Sequence, residues 1–224
     1  SLCASVPGKW TVMSCTQGAG LSLKWLRDTC CTAEIAQAQH EDVDPYRIMD
    51  GLAAIVPIGA DKLLFLPYLM GERSPHPDPM CRGAFVGLSA RHSRPQLIRA
   101  VMEGVAYSQR ECLDVFREMG VMVDSMTVCG GGSQSPLWRQ MLSDVYGIPV
   151  TTLKVDEGGA LGAALLASVG AGIYDTVEQA CEAVVQYKEP QQPSINAAEY
   201  EPYYNLYKQL YPCLKSSFTT LAQI

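Results

Sequence analysis

The spacing of apolar positions changes along the first half of the chain, and each change marks a different element. Residues 1–13 alternate around the turn Pro7-Gly8 and predict a β-hairpin. Apolar residues then recur at helical spacing over residues 21–30, 46–55 and 93–119, and each stretch is therefore a predicted helix.

Further strands and helices alternate with glycine- and proline-rich turns. Predicted strands cover residues 63–69, 125–129 and 148–153, and predicted helices cover residues 135–147, 158–172 and a tyrosine-rich tail beyond residue 189. Residues 71–83 hold three prolines and two glycines and predict a loop. Ser135 and Pro136 are a typical helix start, and Gly147 a typical stop. Strands alternating with helices predict an α/β fold in which helices cover a sheet.

Composition narrows the function without identifying it. The chain has 224 residues, 48% of them hydrophobic and 18% charged, as in an ordinary soluble domain. A net charge of −6 with scattered basic residues argues against nucleic acid as a partner. No apolar run reaches the roughly 20 residues of a membrane span. Because the chain does not begin with Met and opens directly on a strand pattern, we expect a piece of a longer protein.

The cysteines and histidines do not form a recognisable metal or catalytic pattern. Nine cysteines occur without any C-x-x-C pair, which predicts reduced, buried thiols in a cytosolic protein. His40, His76 and His92 lack the spacing of a metal site or of a Ser/His/Asp arrangement. We therefore predict no metal ligands, and we expect His76 to order the proline-rich loop.

Two glycine-rich turns are the strongest candidates for a ligand site. Gly130-Gly131-Gly132 lies between a predicted strand and the Ser135 helix, where bare main chain and free amides suit a polar or anionic group. The alternative is a tight turn that needs positive φ. Gln17-Gly18-Ala19-Gly20 precedes Lys24, which would meet a phosphate or a purine edge, or would be an ordinary solvated lysine.

Carboxylates at two places also have two interpretations. Asp156 and Glu157 precede a glycine-rich helix, where they favour the positive end of its dipole and would also reach a ribose hydroxyl. Glu103 lies inside the long predicted helix and would be either a catalytic carboxylate or a buried group that bonds a neighbouring backbone. For Glu103 we favour the second interpretation.

One long gapped pattern matches a known family. Gly83-Ala-Phe85-Val-Gly87-Leu88, followed after seven residues by Gln96-Leu97-x-x-Ala100-Val101-Met102-Glu103, resembles the second signature of the FGGY carbohydrate kinases. Around it, the stretches LPYLMGERSPHPDPMCRGAFVGL, GGGSQSPLWRQMLSD and DEGGALGAALLA resemble the family's loop, adenosine motif and closing helix. The resemblance extends over nearly the whole chain and is greatest to the members that phosphorylate xylulose.

The resemblance implies a fold, a cofactor and site residues. It implies an actin-like, ribonuclease-H-like ATPase domain over residues 1–224, with a mixed sheet flanked by helices, that binds MgATP or its product ADP. By motif, the expected nucleotide contacts are Gly20, Lys24, Gly131, Gly132 and Ser135. Many family members have Asn at the position of Ser135. Because Ser135 offers a hydroxyl in place of an amide, its contact with adenosine is expected to differ from theirs.

The resemblance also implies what lies elsewhere in such kinases. They carry a catalytic Asp, a Gly-Thr-Ser phosphate loop and most sugar contacts upstream of the region that this chain matches. We therefore expect the sugar, a pentulose such as D-xylulose, to bind through a separate N-terminal domain. The chain alone is expected to bind nucleotide weakly and to have no catalytic residue of its own. Two other hypotheses stay open at this point, a non-catalytic actin-like nucleotide-binding domain and a scaffold that forms a homodimer.

Overall fold

The computed structural model describes residues 1–155 and 158–224. Its strands are β1 (Leu2–Cys3), β2 (Trp10–Thr11), β3 (Leu64–Leu66), β4 (Ala84–Val86), β5 (Met126–Val128) and β6 (Val150–Thr152). Its α-helices are α1 (Ala19–Cys30), α2 (Thr32–Glu41), α3 (Pro45–Ala54), α4 (Arg94–Glu118), α5 (Pro136–Tyr146), α6 (Gly158–Gly170), α7 (Val177–Val184) and α8 (Glu201–Leu221). Short 3-10 turns cover Gly131–Gln134 and Ala197–Tyr200.

The strands pair in both directions. β1 with β2 and β3 with β4 are antiparallel pairs, whereas β5 and β6 run parallel. Antiparallel bridges join Val150 of β6 to Gln191, and Leu153, the residue after β6, to Tyr187. The chain therefore has mixed strand pairing flanked by helices, as the sequence predicted.

Helix α4 is the central support of the core. Ser93 and Gln96 form a capping box at its start, and Gly120 adopts a φ of 78° just beyond its end, as expected for a helix stop. Its middle is buried against β3, where a Cβ at Gly104 would collide with the carbonyl of Phe65. Only glycine allows the helix to lie so close to the strand.

The tyrosines of the tail face inward. Tyr204, Tyr207 and Tyr211 of α8 are buried, and the Tyr207 hydroxyl donates to the Tyr68 hydroxyl at 3.3 Å. Tyr204 donates to Asp114 on α4 at 2.6 Å. The predicted final helix is therefore present, and these rings stabilise the core of the chain.

Several element boundaries differ from the sequence prediction. α1 begins at Ala19, so Gly20 lies inside its first turn and not before it. α2, α7 and β4 were not predicted, and the predicted strand over residues 63–69 shortens to β3. α2 was missed because its apolar positions are mostly alanines, which give little contrast between the two faces of a helix.

The prediction of buried cysteines was wrong for most of them. All nine lie in the described ranges and are free thiols, but only Cys31, Cys81 and Cys112 are buried. Apolar neighbours along the sequence do not reveal which face of an element a residue occupies. Burial raises the pKa of Cys31 to about 11 and that of Cys81 to about 12, so these two thiols stay protonated near neutrality. None of the described helices is long and apolar enough to cross a membrane.

Candidate functional site

A cavity of about 490 Å³ lies where the two glycine-rich turns of the sequence come together. Its walls are β5, the 3-10 turn that follows β5, the inner faces of α4 and α5, and the residues around the start of α1. Gly20, Gly131 and Gly132 line it together, although more than a hundred positions separate the first from the other two. Three of the five predicted contact residues therefore share one cavity.

The three consecutive glycines lie in three different surroundings. Gly130 has a φ of 78°, a region that residues with a side chain rarely adopt. A Cβ at Gly132 would lie 3.0 Å from the ring of Trp138, so this position is small because α5 packs on it. A Cβ at Gly131 would meet nothing within 4 Å. Only at Gly131 does the open space belong to the cavity.

Ser135 has a structural task that the structure shows directly. Its hydroxyl accepts the backbone N–H of Trp138 at 3.0 Å and so caps α5. The same side chain lies near enough to Asp50 on α3 to affect the pKa of its carboxyl group. Burial raises the pKa of Asp50, and the interaction with Ser135 opposes that shift. Among the described residues that line the cavity, Ser135 does not appear, so its adenosine contact stays a prediction.

The start of α1 forms the facing wall. Gly18 is buried, and a Cβ there would overlap the carbonyl of Pro67 at the end of β3. Gly20 is exposed to the cavity, with nothing within 4 Å of an added Cβ. Within residues 1–155 and 158–224 no side chain caps this helix, and its first N–H groups lie at the positive end of the helix dipole.

Lys24 points elsewhere in the present arrangement. Its side chain is 58% exposed and its Nζ lies 2.6 Å from the Asp28 carboxylate, one turn further along α1. It does not belong to the described lining of the cavity. The geometry is that of an ordinary exposed helix pair, which is the second of the two interpretations from the sequence. The expected nucleotide contact of Lys24 stays a prediction.

The described walls of the cavity carry no charged side chain. The described lining residues include no Asp, Glu, His, Lys or Arg; the polar ones are Ser14, Thr16, Gln109, Thr127, Ser133 and Tyr146, with Cys112 and Cys129. The described residues also contain no group of three or more His, Cys, Asp or Glu side chains that would hold a metal ion. They therefore do not fit a Mg²⁺ site made by protein side chains alone. Asp156 and Glu157, whose role the sequence left open, lie outside the described residues.

Glu103 is a buried structural carboxylate. It is 1% exposed, and its Oε1 accepts the backbone N–H of Gly59 at 3.1 Å and the Nε of Arg99 at 2.8 Å. Arg99 in turn donates to the hydroxyl of Tyr200. Burial raises the pKa of Glu103 to about 7. The preferred interpretation, a carboxylate that bonds a neighbouring backbone, is confirmed.

Sequence reasoning missed two residues that shape the site. Trp138 supplies the ring beneath Gly132, and its Nε1 donates to the carbonyl of Met102 at 3.1 Å, which ties α5 to α4. Glu72 holds the segment that leads into α1, through contacts described below. The sequence does hold a signal for Trp138, which is a large apolar residue in the first turn after the Ser135 cap. A buried carboxylate in a proline-rich loop has no comparable signal in the sequence.

Comparison with known proteins decides the family. The family model described as "FGGY family of carbohydrate kinases, C-terminal domain" matches residues 2–171. The chain belongs to the FGGY family of carbohydrate kinases. Its α/β fold is the actin-like, ribonuclease-H-like fold of these kinases, as predicted.

Individual FGGY kinases match over nearly the whole chain. It is 37% identical over 221 residues, 98% of its length, to a xylulose kinase of Staphylococcus epidermidis and 31% identical over 95% to a gluconokinase of Bacillus subtilis. The crystal structure of a xylulose kinase from Rhodospirillum rubrum superposes with a TM-score of 0.78 at 33% identity over 92% of the chain. The chain spans 42%, 42% and 40% of the lengths of these three relatives.

Proposed function

We propose that this chain is the nucleotide-holding domain of an ATP-dependent sugar kinase that phosphorylates a pentulose, D-xylulose being the favoured substrate. In that reaction a sugar hydroxyl attacks the γ-phosphorus of ATP, the bond to the β-phosphate oxygen breaks, and the hydroxyl proton passes to a base. The family and the relatives named xylulose kinase support the reaction class. The domain assignment over residues 1–224 is part of the proposal.

The single observation that carries the proposal is the open main chain on two sides of one cavity. Gly20 and Gly131 both face it, and neither would meet an atom of the described residues within 4 Å if it carried a Cβ. Apolar side chains such as Val105 and Leu142 line the remainder and suit the flat face of a purine. The uncapped first turn of α1 offers N–H donors for phosphate oxygens.

The same cavity supports weak binding and no turnover by this chain alone. Its described lining has no cation to pair with phosphate and no Asp, Glu or His to accept a proton. Glu103 is sealed in the core and does not serve as that base. Mg²⁺ would therefore arrive with the nucleotide. The base and the sugar contacts would come from the N-terminal domain that the family resemblance implies.

A binding measurement tests the nucleotide proposal. ADP is titrated calorimetrically into the wild-type chain and into Gly131→Val, with Gly51→Val as the control, since Gly51 also has open space around it but lies on α3 away from the cavity. We expect binding to the wild type and to Gly51→Val and loss of binding in Gly131→Val. Equal ADP affinity in the wild type and both variants, or no ADP binding by the wild type, would refute the proposal.

The sugar needs a separate test because the relatives include kinases named for xylulose and for gluconate. A longer enzyme that includes this chain is assayed for ADP release with D-xylulose, D-ribulose, gluconate and glycerol. Release that depends on D-xylulose is expected. Release with another sugar alone would correct the substrate, and no sugar-dependent release would favour a non-catalytic nucleotide-binding domain.

We further propose that the protein works in the cytoplasm. Free thiols at all nine cysteines are consistent with a reducing compartment. Homodimer formation remains a prediction from the sequence, and gel filtration with light scattering is the direct measurement of it.

A further inference from the structure

Glu72 is a buried acidic residue in the proline-rich loop, just after β3. It is 3% exposed, and its carboxylate accepts three hydrogen bonds. Its Oε2 accepts the hydroxyl of Thr16 at 2.6 Å, and its Oε1 accepts the backbone N–H groups of Gln17 at 2.9 Å and of Arg73 at 2.8 Å. A carboxylate that accepts several donors in a buried place fixes the positions of all of them.

Two of those three donors belong to the segment that leads into α1. Thr16 and Gln17 are followed directly by Gly18, which fits tightly against Pro67, and then by the first turn of α1. A backbone bond from Ser74 N–H to the Cys15 carbonyl at 3.1 Å joins the same two segments. The proline-rich loop and the start of α1 are thus held together mainly around one carboxylate.

The segment that Glu72 holds is also a wall of the cavity. Thr16 and Gly20 both line it, facing the glycine turn at Gly131. Glu72 itself is not among the described lining residues, so its effect on a bound molecule must pass through Thr16 and Gln17. Without the carboxylate, the Gln17 N–H would lose its buried acceptor and the Thr16 hydroxyl would keep only the Ser108 hydroxyl at 3.2 Å, so we expect the segment to rearrange.

We propose that Glu72 is a positioning residue of the nucleotide site: it sets the distance between the first turn of α1 and the Gly131 turn, so that one ADP contacts both. This inference rests on the proposed nucleotide function. It assigns Glu72, one of the two acidic residues of the proline-rich loop, to positioning the nucleotide, although that loop does not line the cavity.

Two substitutions at Glu72 and one elsewhere test the inference. Glu72→Ala removes every acceptor, whereas Glu72→Gln keeps an oxygen for the Gln17 and Arg73 N–H groups. Glu34→Ala is the control, because Glu34 is also a buried carboxylate with a strong partner, at 2.6 Å from Arg94, but lies on α2. For each variant the ADP affinity and the hydrogen-exchange protection of the Gln17 amide are measured, with far-ultraviolet circular dichroism to confirm the fold.

We expect Glu72→Ala to bind ADP roughly tenfold more weakly than the wild type and to lose protection at Gln17. Glu72→Gln should restore most of both properties, and Glu34→Ala should change neither. Wild-type affinity in Glu72→Ala would overturn the inference while leaving the nucleotide proposal intact. Absence of ADP binding by the wild-type chain would overturn the proposed function itself. If Glu72→Ala does not fold, Thr16→Val removes one of the three bonds, and an unchanged affinity there counts against the inference.

Discussion

The hydroxyl of Ser135 accepts the backbone N–H of Trp138 at 3.0 Å and thereby begins α5 directly behind the glycine turn. Replacing Ser135 by Ala removes this cap, and we expect the free energy of unfolding to fall by about 1 kcal/mol. Asn accepts the same N–H, so Ser135→Asn should unfold at nearly the wild-type urea concentration. Equal loss in both variants would show that the cap is not what Ser135 contributes.

Alanine at the neighbouring positions Gly131 and Gly132 should affect different properties, ADP affinity at the first and stability at the second. Gly131→Ala places a methyl group in open space, so stability should change by less than about 0.5 kcal/mol while ADP affinity falls. Gly132→Ala presses on the Trp138 ring at 3.0 Å and should destabilise the fold by about 1 kcal/mol. Thermal unfolding and calorimetric ADP titration of both variants separate the two effects. A large stability loss in Gly131→Ala would contradict the claim that the space beside Gly131 is open.

Gly18 should tolerate no side chain. A Cβ there overlaps the carbonyl oxygen of Pro67, which is backbone and cannot rotate away. We expect Gly18→Ala to lower the free energy of unfolding by about 1–3 kcal/mol in urea denaturation. Gly20→Ala is the matched comparison two residues later, where the space is open and little stability should be lost. Comparable stabilities for the two variants would be inconsistent with this packing.

Glu103 should make stability depend on pH. Burial raises its pKa from 4.5 to about 7, so the folded state keeps a proton that the unfolded state releases between these values. The contribution of Glu103 is therefore fully present below pH 4.5 and is lost as the pH rises through about 7. Its total size is at most on the order of 3 kcal/mol, since one pKa unit corresponds to about 1.4 kcal/mol.

Glu103→Gln isolates that contribution. Gln does not titrate, so the variant lacks this pH dependence. As the pH rises from 4.5 to 7, the unfolding free energy of the wild type should therefore fall relative to that of the variant. Urea denaturation at several pH values measures it. A difference that is constant with pH, or that moves the other way, would show that the carboxylate is charged in the folded state throughout.

The helices with clear boundary residues could be predicted from the sequence alone. Ser93 and Gln96 fix the start of α4, and Ser135 with Pro136 fixes that of α5, because these caps are local interactions. Gly147 ends α5 with a φ of 69°, as its position suggested. β4 could not be found this way, since its pairing with β3 is a contact between residues far apart in the chain.

In the site, too, local features could be predicted from the sequence and contacts between distant segments could not. The glycine turn at Gly131 was predicted because bare main chain is visible as glycine in the sequence. The exposed pairing of Lys24 with Asp28 is local to α1 and agrees with one of the two interpretations that the sequence left open. The interaction of Ser135 with Asp50 was not predicted, since it depends on where α3 lies. Glu72 was the hardest to foresee, because a buried carboxylate and a solvated one look alike in a proline-rich segment.

The most direct test of the central claim follows backbone amide resonances of this chain during an ADP titration. The account predicts that Gly20 and Gly131, from two distant parts of the sequence, shift together and give one dissociation constant. Shifts at neither glycine, or shifts confined to residues outside the cavity such as Ser194 and Asn196, would contradict it.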